Sequence, residues 1–215
     1  MIEFAKRYFS LLTQDYAGIN LTRINEFEEF YTKQILDSIL PLEQSQIFKN
    51  SINKTGLHID VGFGGGFPIL PLAKLYPDIR FIGVETRAKK VKVVSEIAQK
   101  LGITNVVLVH ERVENLQIDM AATISFKAVG KVYDFLSKLN LLQKNQIFFY
   151  KGPNFYQIES EQIKMTQTDW DLIEESEIKI EGVEKRYLIG FENKNVPCGT
   201  NNKSINNLVK LSQLL

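Results

Sequence analysis

Cysteine occurs once in the 215 residues and histidine twice. Cys198 alone closes no intramolecular disulfide, and His58 and His110 are too few and too dispersed for a histidine-rich metal site, so no metal ligand set is expected. No apolar run approaches the roughly 18 residues that mark a membrane span, and neither a signal peptide nor a lipidation motif stands out. The expectation is a cytoplasmic protein without a membrane partner. A charge excess is missing too: 26 Lys and Arg face 25 Asp and Glu, for a net charge of +1. That field neither demands nor excludes a nucleic-acid partner, whose binding would have to come from a local basic patch. Ser-His-Asp and Cys-His patterns, internal repeats and low-complexity segments are also absent. What remains is an ordinary globular composition, 44% hydrophobic and 24% charged, long enough for one domain with a full core.

Against this background the stretch Leu57-His-Ile-Asp-Val-Gly-Phe-Gly-Gly-Gly-Phe-Pro68 organises the chain. A short apolar run meets four glycines and then an apolar helical pattern, which reads as strand, tight turn, helix. Glycines there permit positive φ and let a ligand approach where a Cβ would stand. The dinucleotide spacing G-x-G-x-x-G fails in both registers, because the third glycine would fall on Phe67 or Ile69. No Gly-Lys-Ser/Thr follows, which excludes a Walker loop. The spacing that fits is Asp60-x-Gly62-x-Gly64-x-Gly66. After a helix over 69–76 comes Phe81-Ile-Gly-Val-Glu85, a buried-strand pattern ending in a carboxylate. An acid at the end of the second strand, roughly 20 residues past a glycine loop, is placed to accept hydrogen bonds from a ribose diol.

Taken in order, 4–16 has an amphipathic helical pattern, and a second helix over 26–40 is expected to start at Asn25 and end before Pro41. Residues 45–55 read as a connector. Beyond Glu85 the pattern predicts a helix over 88–101 stopped by Gly102, a strand over 106–110, a charged loop over 111–114, a strand over 121–129, a helix over 133–142 and a strand over 146–150. Strand and helix alternate four times, which implies a parallel sheet with right-handed crossovers. A weak helix over 155–167 precedes strands at 170–180 and 185–192, a hairpin-like finish with an antiparallel edge. In the Asn- and Lys-rich tail, Ser204 is placed to cap a short helix over 205–215. The division expected is a helical part over 1–45, a Rossmann-like core over 55–193 and a tail over 194–215, all in one domain.

The Asp-x-Gly-x-Gly-x-Gly loop, the acid at the second strand and the terminal hairpin resemble the class I S-adenosylmethionine-dependent methyltransferases, an α/β fold with a mostly parallel sheet. Asn20-Leu-Thr22, Ile35-Leu-Asp-Ser38, Asp60-Val-Gly-Phe-Gly-Gly-Gly-Phe-Pro68 with Pro71-Leu-Ala73, Arg112-Val-Glu114 and Lys151-Gly152 narrow this further. In order and spacing they are similar to the RsmG (GidB) family, enzymes that methylate N7 of a guanine in bacterial 16S ribosomal RNA. The resemblance covers roughly 4–193. It implies S-adenosylmethionine (SAM) as cofactor, with contacts at Gly62, Phe67, Val113, Glu114 and Lys127, to which the class I loop pattern and the strand-end acid add Asp60, Gly64, Gly66 and Glu85. Three positions depart from the family pattern: Lys127 where arginine is usual, Gln34 where histidine is usual and Glu85 where aspartate is usual. A lysine replaces a planar bidentate contact by a single-point one.

The implied partner is 16S rRNA or a small-subunit particle, met by a monomer. Guanine N7 carries a lone pair and no proton, so no catalytic general base is expected, and the protein's task is alignment. Asp37, Arg87, Lys89, Lys90, Lys151 and Arg186 are the substrate-side candidates, the cations as phosphate contacts, although each alone also fits a solvated surface charge. Two other readings stay open on the residues: a SAM-dependent enzyme with another acceptor, and a non-catalytic RNA-binding assembly factor that kept the fold.

Overall fold

In the computed structural model, residues 1–194 and 208–214 are described. The chain begins with helices. Helix α1 (Ile2–Ser10) passes into a π-helical turn at Leu11–Asp15. Helix α2 (Phe27–Phe30) passes through a π-helical stretch, Tyr31–Leu36, into α3 (Asp37–Gln44). Glu26, not Asn25, occupies the N-cap, and the helix continues through Pro41 instead of ending before it. Proline removes one N–H from a helical ladder, but here it follows closely on a π-helical stretch that has already displaced the usual pairing. The expected connector over 45–55 is also helical. Ser45 caps α4 (Gln46–Thr55) by accepting the Phe48 N–H at 3.0 Å, Phe48 and Ile52 are buried one turn apart, and Gly56 closes the helix at φ +62°.

The nucleotide-binding style alternation follows: β1 (Leu57–Val61), α5 (Ile69–Leu75), β2 (Arg80–Glu85), α6 (Ala88–Lys100) and β3 (Val106–His110). A 3-10 turn at Val113–Asn115 and β4 (Leu116–Ile118) come next, then β5 (Thr123–Lys127), α7 (Val132–Leu136), β6 (Asn140–Leu141) and β7 (Gln146–Lys151). The chain closes with α8 (Phe155–Thr166), β8 (Trp170–Ile178), β9 (Arg186–Asn193), β10 (Val209–Lys210) and a 3-10 turn at Leu211–Leu214.

Seven strands form one sheet in the order β3-β2-β1-β5-β7-β9-β8. Pairing is parallel from β3 to β7, and β9 is inserted antiparallel between β7 and the edge strand β8. Successive side chains of β7 point to opposite faces. Phe148 stacks on Phe48 at 4.2 Å beneath the N-terminal helices, while Phe149 stacks on Phe126 at 4.8 Å on the face covered by α7 and α8. The crossover sequence turns back between β1 and β5. A doubly wound sheet opens a crevice at such a switch, beyond the carboxyl ends of the strands.

Two short segments escaped the periodicity reading. The expected helix over 133–142 stops at Leu136, and β6 joins β4 and β10 in a separate three-stranded parallel sheet. Asn140 fixes this arrangement by donating its amide to the carbonyls of Glu114 at 3.1 Å and Leu116 at 3.3 Å. Of the tail expectation, Ser204, Ile205 and Cys198 lie outside the described residues. Residues 208–214 form strand and 3-10 turn, with Leu211 buried and both the N–H and hydroxyl of Ser212 donating to Asp119, at 3.1 and 2.6 Å.

Candidate functional site

Beyond β1 the chain turns through the glycines. Gly64 and Gly66 both hold positive φ, +56° and +93°, which an L side chain rarely adopts, but for different ends. A Cβ on Gly66 would collide with the Tyr8 hydroxyl. Tyr8, from α1, donates to the Gly65 carbonyl and stacks on Phe67 at 5.0 Å, so the N-terminal helix props the loop from behind. A Cβ on Gly64 would instead meet only ordinary van der Waals neighbours, Gly62 O and Lys90 Nζ at 3.8 Å. Gly66 serves packing; Gly64 leaves a path to the loop.

That path enters a cleft of about 520 Å³ at the switch point. Gly62, Gly64 and Phe67 line it from the loop, Glu85, Arg87 and Lys90 from the end of β2 and the start of α6. Val113 and Glu114 close it from beyond β3 and Lys127 from the end of β5, and Leu21 and Gln34 reach it from the helical part. Nine of the sequence candidates thus meet at one cavity. Glu85 is buried, and its carboxylate accepts the Gly64 N–H, the Thr86 hydroxyl and the Arg87 N–H, each at 3.1 Å. With about four lone-pair sites on a carboxylate, acceptor capacity remains for a ligand hydroxyl.

Asp60 is placed differently, under the loop and fully buried, while Gly66 also stays off the cleft wall. The Ser125 hydroxyl donates to Asp60 Oδ1 at 2.9 Å and is itself 2.8 Å from His58 Nε2. Asp60 Oδ2 and His58 Nδ1 are buried without hydrogen-bond partners among the described residues. Burial pushes the Asp60 carboxyl up to about 7, against the opposing pulls of Ser125 and Lys127, and pushes the His58 imidazole down to about 3. Ser125 and His58 were invisible as site neighbours in the sequence, since each sits singly in an apolar strand.

A second cavity, about 310 Å³, adjoins the first and shares Lys127 and Ala128 with it. Beside that common wall, in the second cavity, Asp37 lies between two cations: Lys127 Nζ is 2.9 Å from Oδ2 and Arg186 Nε 3.0 Å from Oδ1. Ala128 holds φ +54°, a strained value for a residue with a Cβ, at the point where the cavities meet. The remaining basic candidates separate. Arg87 is exposed at the cleft and Lys89 is exposed away from both cavities. Lys151 does not offer the free ammonium expected of a phosphate contact. Its Nζ turns inward to Glu159 and to the Gly130 carbonyl, both at 2.9 Å, because a lysine with only 9% of its side chain exposed needs a counter-charge.

With this geometry in view, the comparisons with known proteins are specific. The family model described as "rRNA small subunit methyltransferase G" (GidB) matches residues 1–189. A "Ribosomal RNA small subunit methyltransferase G" of Lactococcus lactis subsp. cremoris (strain MG1363) is 31% identical over 171 residues, 78% of this chain and 68% of the relative. Its counterpart in Lactobacillus helveticus (strain DPC 4571) is 36% identical over 156 residues, 69% of this chain and 63% of the relative. The match thus spans about two thirds of the length of these relatives. Among solved structures, a SAM-dependent methyltransferase from Aquifex aeolicus superposes with a TM-score of 0.53 at 17% identity, covering 74% of this chain and 92% of the other. That likeness speaks for the fold.

Proposed function

The chain belongs to the rRNA small subunit methyltransferase G family of SAM-dependent methyltransferases, and from that premise we propose that it methylates N7 of a guanine in 16S rRNA. The observation that carries this reading is the pair of cavities meeting at Lys127 and Ala128, one suited to a cofactor and the other opening beside it.

The residues at the cleft fit SAM. Gly64 leaves its backbone approachable, Glu85 retains acceptor capacity for the ribose diol, and Phe67, Val113, Glu114 and Lys127 supply the remaining contacts. When bound, the cofactor supplies an electrophilic methyl group on a sulfonium. The protein's own work is to hold the acceptor base in line with that methyl and to exclude water, the alignment contribution to rate. N7 presents a lone pair, so no side chain has to remove a proton. Arg87 and Lys90 at the cleft, with Lys89 on the exposed surface beside them in sequence, are assigned to RNA phosphates, a local patch on a chain whose net charge is only +1. The helical part and the Rossmann-like core act as one unit, a cytoplasmic monomer; among the described residues no helix is long and apolar enough to cross a membrane.

The test is methyl transfer from labelled SAM to small-subunit particles, with the modified nucleotide mapped. Label at N7 of a single guanine is the expected result. Label on another acceptor, or binding of particles without transfer, would overturn the assignment.

A further inference from the structure

Where the two cavities meet stands a built donor–acceptor pair, Lys127 on their shared wall and Asp37 next to it in the second cavity. Lys127 Nζ and Asp37 Oδ2 stand 2.9 Å apart with side chains only 10% and 11% exposed, and Arg186 holds the other Asp37 oxygen. An ammonium has three donors and a carboxylate about four lone-pair sites, so both groups keep capacity toward the cavity. Much of the rest of the lining is flat and apolar: Pro41, Tyr150 and Tyr187, the last in edge-to-face contact with Tyr156 at 4.8 Å. At about 310 Å³ the cavity lies at the small end of ligand sites, the scale of one base and part of its sugar.

We propose that this cavity takes the flipped-out acceptor guanine, and that Lys127 and Asp37 together read its O6 and N1–H. The inference rests on the methyl-transfer reading above. Round the guanine edge the groups run N7, O6, N1–H; along the wall the order is cofactor cleft, Lys127, Asp37. Lys127 donates to O6, Asp37 accepts N1–H, and N7 is left facing the cleft. Adenine presents an amino group where O6 stands and a bare lone pair at N1. Donor then meets donor and acceptor meets acceptor, leaving buried polar groups unpaired on both sides, the situation in which binding sites discriminate most strongly. Stacking on the flat walls holds an extruded base while its edge is read.

The experiment uses small-subunit particles reconstituted with either guanine or 2,6-diaminopurine at the mapped acceptor nucleotide. Diaminopurine keeps N7 and the 2-amino group but inverts the hydrogen-bond sense at positions 6 and 1. Under single-turnover conditions with saturating SAM, the wild type should prefer guanine by at least about 100-fold. Asp37→Asn, whose amide can donate to a bare N1, should be slower on guanine and narrow the preference to about tenfold or less. Lys127→Gln, whose amide both donates and accepts, should narrow it likewise and serves if Asp37→Asn does not fold, as judged by SAM calorimetry. A wild-type ratio near one, or a ratio unchanged in the folded variants, would overturn the inference. Failure of the wild type to methylate the guanine particle is a different result, and it strikes the methyl-transfer assignment itself.

Discussion

Glu85, at the end of β2, accepts a hydrogen bond from the Gly64 N–H at 3.1 Å, so the acid meant for the cofactor also pins the loop that faces it. Removing this carboxylate should therefore act twice. Glu85→Ala is expected to weaken SAM binding by about 1.5–3 kcal/mol, the range for a hydrogen bond involving a charged group, or about 10- to 150-fold in Kd. Gly64→Val should bind far more weakly still, because a β-branched residue is forced toward φ +56° and its side chain enters the cleft. Calorimetry on the three proteins checks this. Wild-type affinity in either variant would remove the site from this loop.

Glu159 on α8 neutralises the buried Lys151 and, through its other oxygen, accepts the Val132 N–H at 2.7 Å that opens α7. Cutting one side of a buried ion pair strands the other charge. Glu159→Ala, which strands the Lys151 ammonium and also unpairs the Val132 N–H, should destabilise the fold by about 3–5 kcal/mol in urea unfolding, whereas Lys151→Met strands a carboxylate that still accepts the Val132 N–H and should cost less. The order of the two losses is the diagnostic. If Lys151→Met were neutral to stability yet abolished RNA binding, the phosphate role expected from sequence would be restored.

Why Lys151 misled is instructive about what local pattern can carry. Its strand, Gln146-Ile-Phe-Phe-Tyr, announced itself by a continuous apolar run, as did Leu57–Val61 and Phe81–Val84, and those runs with their glycines made the core and the cofactor loop legible. The partner of Lys151 comes from another element, Glu159 on α8, and no local pattern shows such a meeting. The same holds for Tyr8 beneath the glycine loop, and for Asp37 and Arg186, 149 positions apart. Short elements failed for another reason: β4 and β6 hold too few residues for a period to show, and their pairing rests on Asn140 and on the distant β10. Helix α4 could have been read, since Ser45, Phe48, Ile52 and Gly56 are ordinary cap, core and stop signals; its polar Lys49, Asn50, Asn53 and Lys54 obscured them.

If the acceptor is N7, the chemical step needs no base. With SAM and particles saturating and chemistry limiting, the single-turnover rate should be nearly flat between about pH 6.5 and 8.5. Asp37 is the carboxylate most open to suspicion as a base, being buried beside Lys127 on the wall between the cavities. Asp37→Asn should lower the rate and leave the profile flat. A rising limb in the wild type that vanishes in Asp37→Asn would mean a different acceptor atom.

The His58–Ser125–Asp60 chain makes a separate prediction, about stability. Asp60 has a folded pKa of about 7, above the usual carboxylate value, so the folded state binds the extra proton between about pH 4 and 7. Its contribution is present below the unfolded pKa and lost as pH rises through 7, which makes stability fall with pH across that window. His58, depressed to about 3, has the opposite sign: the unfolded imidazole takes a proton below about 6.5 that the folded one refuses, so stability rises with pH from about 3 to 6.5. Between about pH 4 and 6.5 the two slopes, each near 1.4 kcal/mol per pH unit at full strength, oppose one another and largely cancel. At such a pH the folded pair holds one proton, on Asp60, and the unfolded pair also holds one, on His58. Wild-type unfolding free energy should accordingly change little from this pair. Asp60→Asn should uncover a rising slope and His58→Gln a falling one, measured by urea unfolding at several pH values relative to wild type. Parallel pH profiles for all three proteins would show that neither group has the shifted ionisation its burial implies.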